Sequence, residues 1–89
     1  MSIFNWFRKS KELGKVVHYF DKINVAVVQL TGKVKVGDTV KFKHGVKEFE
    51  QVVGSMQVNH VQVQSAKAGD EVAIYVEHEA NRGTLLLKA

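Results

Sequence analysis

Lysines are the residues with the most evident chemistry in this chain. The stretch "TGKVKVGDTVKFK", residues 31–43, places Lys33, Lys35, Lys41 and Lys43 among valines and a phenylalanine. Two chemistries compete for it: a loop whose backbone N–H groups surround a phosphate, or strands whose lysines face water. A phosphate loop needs two glycines separated by four residues, then Lys and Ser or Thr, between a strand and a helix. Here Val34 follows Gly32-Lys33 and no helical periodicity comes after it, so no bound nucleotide is expected.

Other reactive side chains are dispersed. His18, His44, His60 and His78 lack metal-ligand spacing and there is no cysteine, so neither a metal nor another cofactor is expected. Asp38 and Asp70 each follow a glycine, where aspartate bonds its own backbone, so a structural role outweighs a catalytic pair. Ser55 has no evident base. The chain is not expected to be an enzyme.

The elements that hold these residues read as strands. From Gly14 onward apolar residues tend to alternate, the period of a strand with one buried face. Val16, His18 and Phe20 share one face of the first strand, with Val17 and Tyr19 on the other. "FDKIN" supplies a turn in which Asn24 tolerates a positive φ. Val40 and Phe42 point inward while Lys41 and Lys43 point away, and "HG" at 44–45 is a turn. Val52, Met56 and Val58 keep one phase, whereas Val61 and Val63 have the opposite one, so a bulge or bend is expected near Asn59. Val72, Ile74 and Val76 form another strand, and "TLLLKA" a last one. The expected fold is all-β: a small closed or nearly closed antiparallel barrel of six to seven strands. A single domain over 13–89 follows from the length, with an aromatic-basic arm over 1–12.

"VKVGDTVKF" and "AKAGDEVAI" repeat the pattern Lys-x-Gly-Asp-x-Val, and "ANRGTLLL" echoes it around Gly83. Gly37, Asp38, Gly69, Asp70 and Gly83 are therefore assigned to structural turns. A three-residue loop Gly37-Asp38-Thr39 would pair Val36 with Val40, Lys35 with Lys41, Val34 with Phe42 and Lys33 with Lys43. Like charges would then stand opposite one another, which is unfavourable. Either the two arms diverge beyond the turn, or four lysines form a cationic face that an anion relieves.

The net charge of +4 is unevenly spread. Residues 1–47 carry ten Lys or Arg against three acids, and residues 48–89 carry three against six. That asymmetry suggests an anionic partner, unless strands from both halves interleave. The arm "SIFNWFRKSKE" reads in three ways: a short helix packed on the barrel mouth, a frayed tail, or a docking arm, with residues 3–7 as a protein contact. No apolar run is long enough for a membrane span and no signal peptide is recognisable, so a cytoplasmic location is the expectation.

With these turns placed, residues 14–87 resemble the second domain of translation factor GTPases such as elongation factor Tu and initiation factor two. The resemblance is carried by "GKVVHYF", "VAVVQLTGKVKVGDTVKF", "SAKAGDEVAIYV" and "NRGTLLL". It implies a β-barrel related to translation. It does not carry the tRNA-end pocket, because Ser65 stands where the family has a glutamate and Val28-Gln29-Leu30-Thr31-Gly32 replaces an arginine-rich stretch. The GTPase domain itself has no counterpart here. The expected function is an RNA- or ribonucleoprotein-binding module acting through Lys33, Lys35, Lys41, Lys43 and Arg82, with His18 beside the lysines. The alternative is a protein-docking module with no RNA contact.

Overall fold

A computed structural model describes residues 11–89. The expected N-terminal helix and the contact at residues 3–7 lie outside them. Ten strands run in chain order: β1 (Glu12–Phe20), β2 (Val25–Leu30), β3 (Val34–Lys35), β4 (Thr39–His44), β5 (Lys47–Val52), β6 (Met56–Val58), β7 (Val61–Val63), β8 (Ser65–Ala66), β9 (Glu71–Tyr75) and β10 (Leu85–Lys88). There is no helix among the described residues. Eight strands form one antiparallel sheet in the order β5-β4-β10-β1-β2-β9-β6-β7, and β3 pairs with β8 in a second, two-stranded sheet.

The all-β, antiparallel expectation holds; the strands number ten and not six or seven, and of the closed or nearly closed barrel expected, the ladder of the large sheet does not close. Flat, eight strands would span about 34 Å between the outermost strands, yet Phe49 on β5 and Val63 on β7, at opposite ends of the order, pack against one core. The sheet must therefore curl. Its end strands β5 and β7 share no ladder; β5 instead meets the end of β9, beyond the pairing of β9 with β6, through one side chain. The buried Gln51 of β5 donates from Nε2 to the Tyr75 carbonyl at 2.8 Å and accepts from the Glu77 N–H at 2.9 Å. Its amide thus replaces one rung of backbone pairing. On its other side β5 continues the ladder to β4 past Thr39 and Val52: Gly37 N–H donates to Val53 O and Val53 N–H to Asp38 O, both at 2.9 Å.

Directly paired residues in an antiparallel sheet point to the same face, so the register defines the core as rows. Leu30, Gly14, Leu86, Phe42 and Phe49 make one inward row across five strands. Tyr19, Ala26, Ile74, Met56 and Val63 make another. Burying these side chains contributes roughly 1.5–3 kcal/mol for each large one, the dominant favourable term.

Three local readings are corrected by the register. The ladder between β1 and β2 slips by one residue, pairing Val16 with Val28 but His18 with Val27. Val17 is the extra residue, and this bulge reverses the faces after it. Tyr19 turns to the core while Phe20, expected beside Val16, is half exposed. The bulge or bend expected near Asn59 is a two-residue hairpin loop, Asn59-His60. Both have positive φ, 52° and 66°, as a type I′ turn requires, and Val58 pairs with Val61 across it. The phase also breaks at Gly54-Ser55, leaving Val53 buried and Val52 exposed.

The third correction concerns residues 33–43. β3 pairs with β8, Val34 opposite Ala66 and Lys35 opposite Ser65, and not with β4. The arms diverge because residues 35–38 make a hydrogen-bonded turn, not a hairpin loop. Asp38 N–H donates to Lys35 O, Lys35 N–H donates to Asp38 Oδ2, both at 3.0 Å, and Gly37 has φ 97°. A positive φ at the third position is the mark of a type II turn. The same three features recur at Lys67, Gly69 and Asp70, with φ 96°. At Asn81 to Thr84 the turn bond and Gly83 φ of 95° recur without the aspartate.

Candidate functional site

Divergence at the Gly37 turn splits the four lysines into two environments. Lys41 and Lys43 lie on the outer face of β4, where Lys41 pairs with Glu50 and Lys43 with Glu48 across the ladder to β5. Lys41 Nζ is 3.6 Å from Glu48 Oε1. Of the two alternatives left by the sequence, the arms diverge: lysine faces glutamate and not lysine, and the cationic field there is largely neutralised.

Lys33 and Lys35 have different company. They line an open groove of about 610 Å³ together with Lys11, Lys88, Thr39 and Asp38. Each element is fixed in place by backbone bonds. Thr31 and Gly32 N–H groups donate to Leu13 O at 2.8 and 3.2 Å, which holds the loop carrying Lys33 against the start of β1. Lys88 N–H donates to Lys11 O at 2.8 Å, and Ala89 N–H to Thr39 O at 3.4 Å, so the end of β10 lies between β1 and β4. Four lysines from three stretches of chain therefore line one concavity. The one carboxylate among the lining side chains, Asp38, is engaged by Lys35 N–H. A concave site in which lysines outnumber carboxylates four to one among the lining side chains attracts polyanions at long range and loses counterions when one binds.

Arg82 and His18 are brought together elsewhere. They line a second groove of about 500 Å³ with Tyr19, Asp21, Glu79 and Asn81, none of which borders the lysine groove. His18 is exposed but is not beside the lysines. Arg82 occupies the second position of the Gly83 turn and is exposed. Lys11 and Lys88 were missed from sequence, because their nearness to Lys33 depends on β10 inserting between β1 and β4. Their only sequence signal was their charge.

Among the described residues no three His, Asp or Glu side chains converge as a metal site. No helix among them is long and apolar enough to cross a membrane.

Known proteins share this architecture. No protein-family model matches the chain. It is 37% identical over 73 residues to a protein of Methanocaldococcus jannaschii named an uncharacterized protease, an overlap of 81% of this chain and 18% of that protein. The C-terminal domain of a protein named as a U32 peptidase, from Geobacillus thermoleovorans, superposes with a TM-score of 0.83 at 21% identity over 89% of this chain and 92% of the domain. A bacterial selenocysteine-specific elongation factor superposes with a TM-score of 0.71 at 30% identity, over 90% of this chain and 15% of the factor. The likeness is one of fold. This β-rich unit occurs at the end of a peptidase-named chain and within a translation factor, and the chain spans under a fifth of the curated relative's length.

Proposed function

We propose that this chain is a non-enzymatic binding module of the translation-factor second-domain type, and that it holds RNA, alone or in a ribonucleoprotein, through the groove of Lys11, Lys33, Lys35 and Lys88. The convergence of those four lysines carries the reading. The likeness to a segment of an elongation factor supports it, and the neutralised Lys41 and Lys43 are assigned no contact. Phosphate contacts by lysine supply affinity without sequence preference, since ammonium groups are mobile point charges that carry no base information.

The test is RNA affinity as a function of salt. Four phosphate contacts on a single strand give a slope of about −2.8 in log K against log salt. Raising salt from about 50 to 200 mM then weakens binding roughly 50-fold. Absence of RNA binding at the lower salt would remove the proposal.

A further inference from the structure

The lysine groove leaves unexplained a second surface, on the outward face of β1, β2 and β9. Phe20 pairs with Val25 and Val25 with Tyr75, so these three side chains form one outward row. Beside it His18, Val27 and Ala73 form a second. Neither row contains an acid or a lysine, in contrast to the outward row of Glu48, Lys43, Leu85, Lys15, Gln29 and Glu71. Phe20 and Tyr75 are 50% and 51% exposed, and the His18 and Phe20 rings lie 6.3 Å apart at 32°. Large rings left half in water are costly unless something covers them.

The surroundings indicate the chemistry of the cover. His18 also borders the second groove, where Arg82 and Asn81 offer donors and Asp21, Glu79 and Asn81 offer acceptors. Carboxylates repel phosphate but accept from the exocyclic amino groups of bases, and Asn presents both a donor and an acceptor to a base edge. Arg82 can pair with a phosphate at the rim or stack on a base. Half-exposed rings on a sheet surface, adjoining mixed donors and acceptors, match the demands of an unpaired base: a flat face to stack on and an edge to bond. Phe20 and Tyr75 both flank Val25 of β2, and the Tyr75 carbonyl receives the Gln51 bond, so the backbone that carries the two rings is already ordered before anything binds.

We infer that the outward face of β1, β2 and β9 binds the unpaired bases of single-stranded RNA, with His18, Phe20 and Tyr75 as stacking rings and Asp21, Glu79, Asn81 and Arg82 around the neighbouring groove as edge and phosphate contacts. The inference rests on the RNA reading above and adds a preference for single strands. The lysine groove binds phosphates of any strand, whereas the ring face engages only bases that are not paired.

The experiment measures affinity of the whole chain for a short oligocytidylate and for a blunt RNA duplex of equal length, at several salt concentrations. Phe20→Leu and Tyr75→Leu keep apolar bulk and remove the aromatic face. Each is expected to weaken oligocytidylate binding by roughly 5- to 100-fold, with the salt slope and duplex affinity unchanged. The pair Lys33→Gln with Lys35→Gln is expected to flatten the slope for both ligands. Ultraviolet crosslinking of an oligomer containing bromouridine is expected to mark Phe20, Tyr75 or His18. Wild-type affinity for oligocytidylate in both leucine variants, alongside a flattened slope in the lysine pair, would overturn the ring face and leave the RNA reading standing. Self-association of the unaltered chain that both leucine variants lack, with RNA affinity intact in them, would assign the face to a protein contact and likewise overturn it. If the unaltered chain binds neither ligand, both readings fall.

Discussion

Gln51 shows how much one side chain can decide. Its amide is buried and both its polar atoms are matched, to Tyr75 O and Glu77 N–H, where β5 meets the end of β9. Replacing it by Leu conserves apolar volume but strands two backbone groups. That change is predicted to cost about 2 kcal/mol or more, measurable as a lowered midpoint in urea. Gly37 and Gly69 are a second case, since each holds a left-handed φ at the corner of a turn whose aspartate bonds back to the lysine at its start. Ala at either is predicted to cost about 1 kcal/mol through the backbone alone, with no steric contribution because the space beyond each Cα is open. Gly14 differs, for a Cβ there would lie 2.6 Å from Gln29 O, so Gly14→Ala must shift the β1–β2 ladder itself. These turns were legible in sequence because Lys-x-Gly-Asp states its own geometry. Gln51 was not legible, since nothing in "FEQVV" reveals that the strand meets the end of β9.

At the scale of elements, most strands were legible and their registers were not. Alternation marks a strand wherever one face is buried, which places β2, β4 and β9, while the short apolar run in "TLLLKA" places β10. It cannot reveal a one-residue slip. The bulge at Val17 and the break at Gly54-Ser55 each reverse the phase while leaving the local pattern strand-like, and so Phe20 and Val52 were assigned to the wrong side. The break at Asn59-His60 is visible in the phase change, but not that it is a hairpin, because it lacks the glycine that commonly announces a type I′ turn. His60, with φ 66°, pays for that conformation. A left-handed residue other than glycine costs about 1–2 kcal/mol, and glycine loses about 0.5–1 kcal/mol in extra chain entropy. His60→Gly is thus predicted to stabilise the domain by about 0.5 kcal/mol, a rise in melting temperature of about 2–4 °C. A fall would contradict the turn assignment.

For the whole molecule, the functional reading depends on which lysines share a surface. Sequence grouped Lys33, Lys35, Lys41 and Lys43 by proximity along the chain. Folding separates them, because β3 leaves to pair with β8 while β4 joins the sheet between β10 and β5. In their place Lys11 and Lys88, near the two ends of the described chain, complete the groove. The charge asymmetry between the halves of the sequence is partly erased on β4, where Glu48 and Glu50 face Lys43 and Lys41, and survives in the groove. The fold is common to a peptidase-named chain and to an elongation factor, so architecture alone does not choose a partner. The groove must do so. The most direct test compares the salt dependence of RNA binding in two double variants, Lys33→Gln with Lys35→Gln and Lys41→Gln with Lys43→Gln. The first is predicted to lower the magnitude of the slope by about 1.4, two phosphate contacts on a single strand, and the second to leave it unchanged; the reverse result, or equal effects of both pairs, would contradict the account.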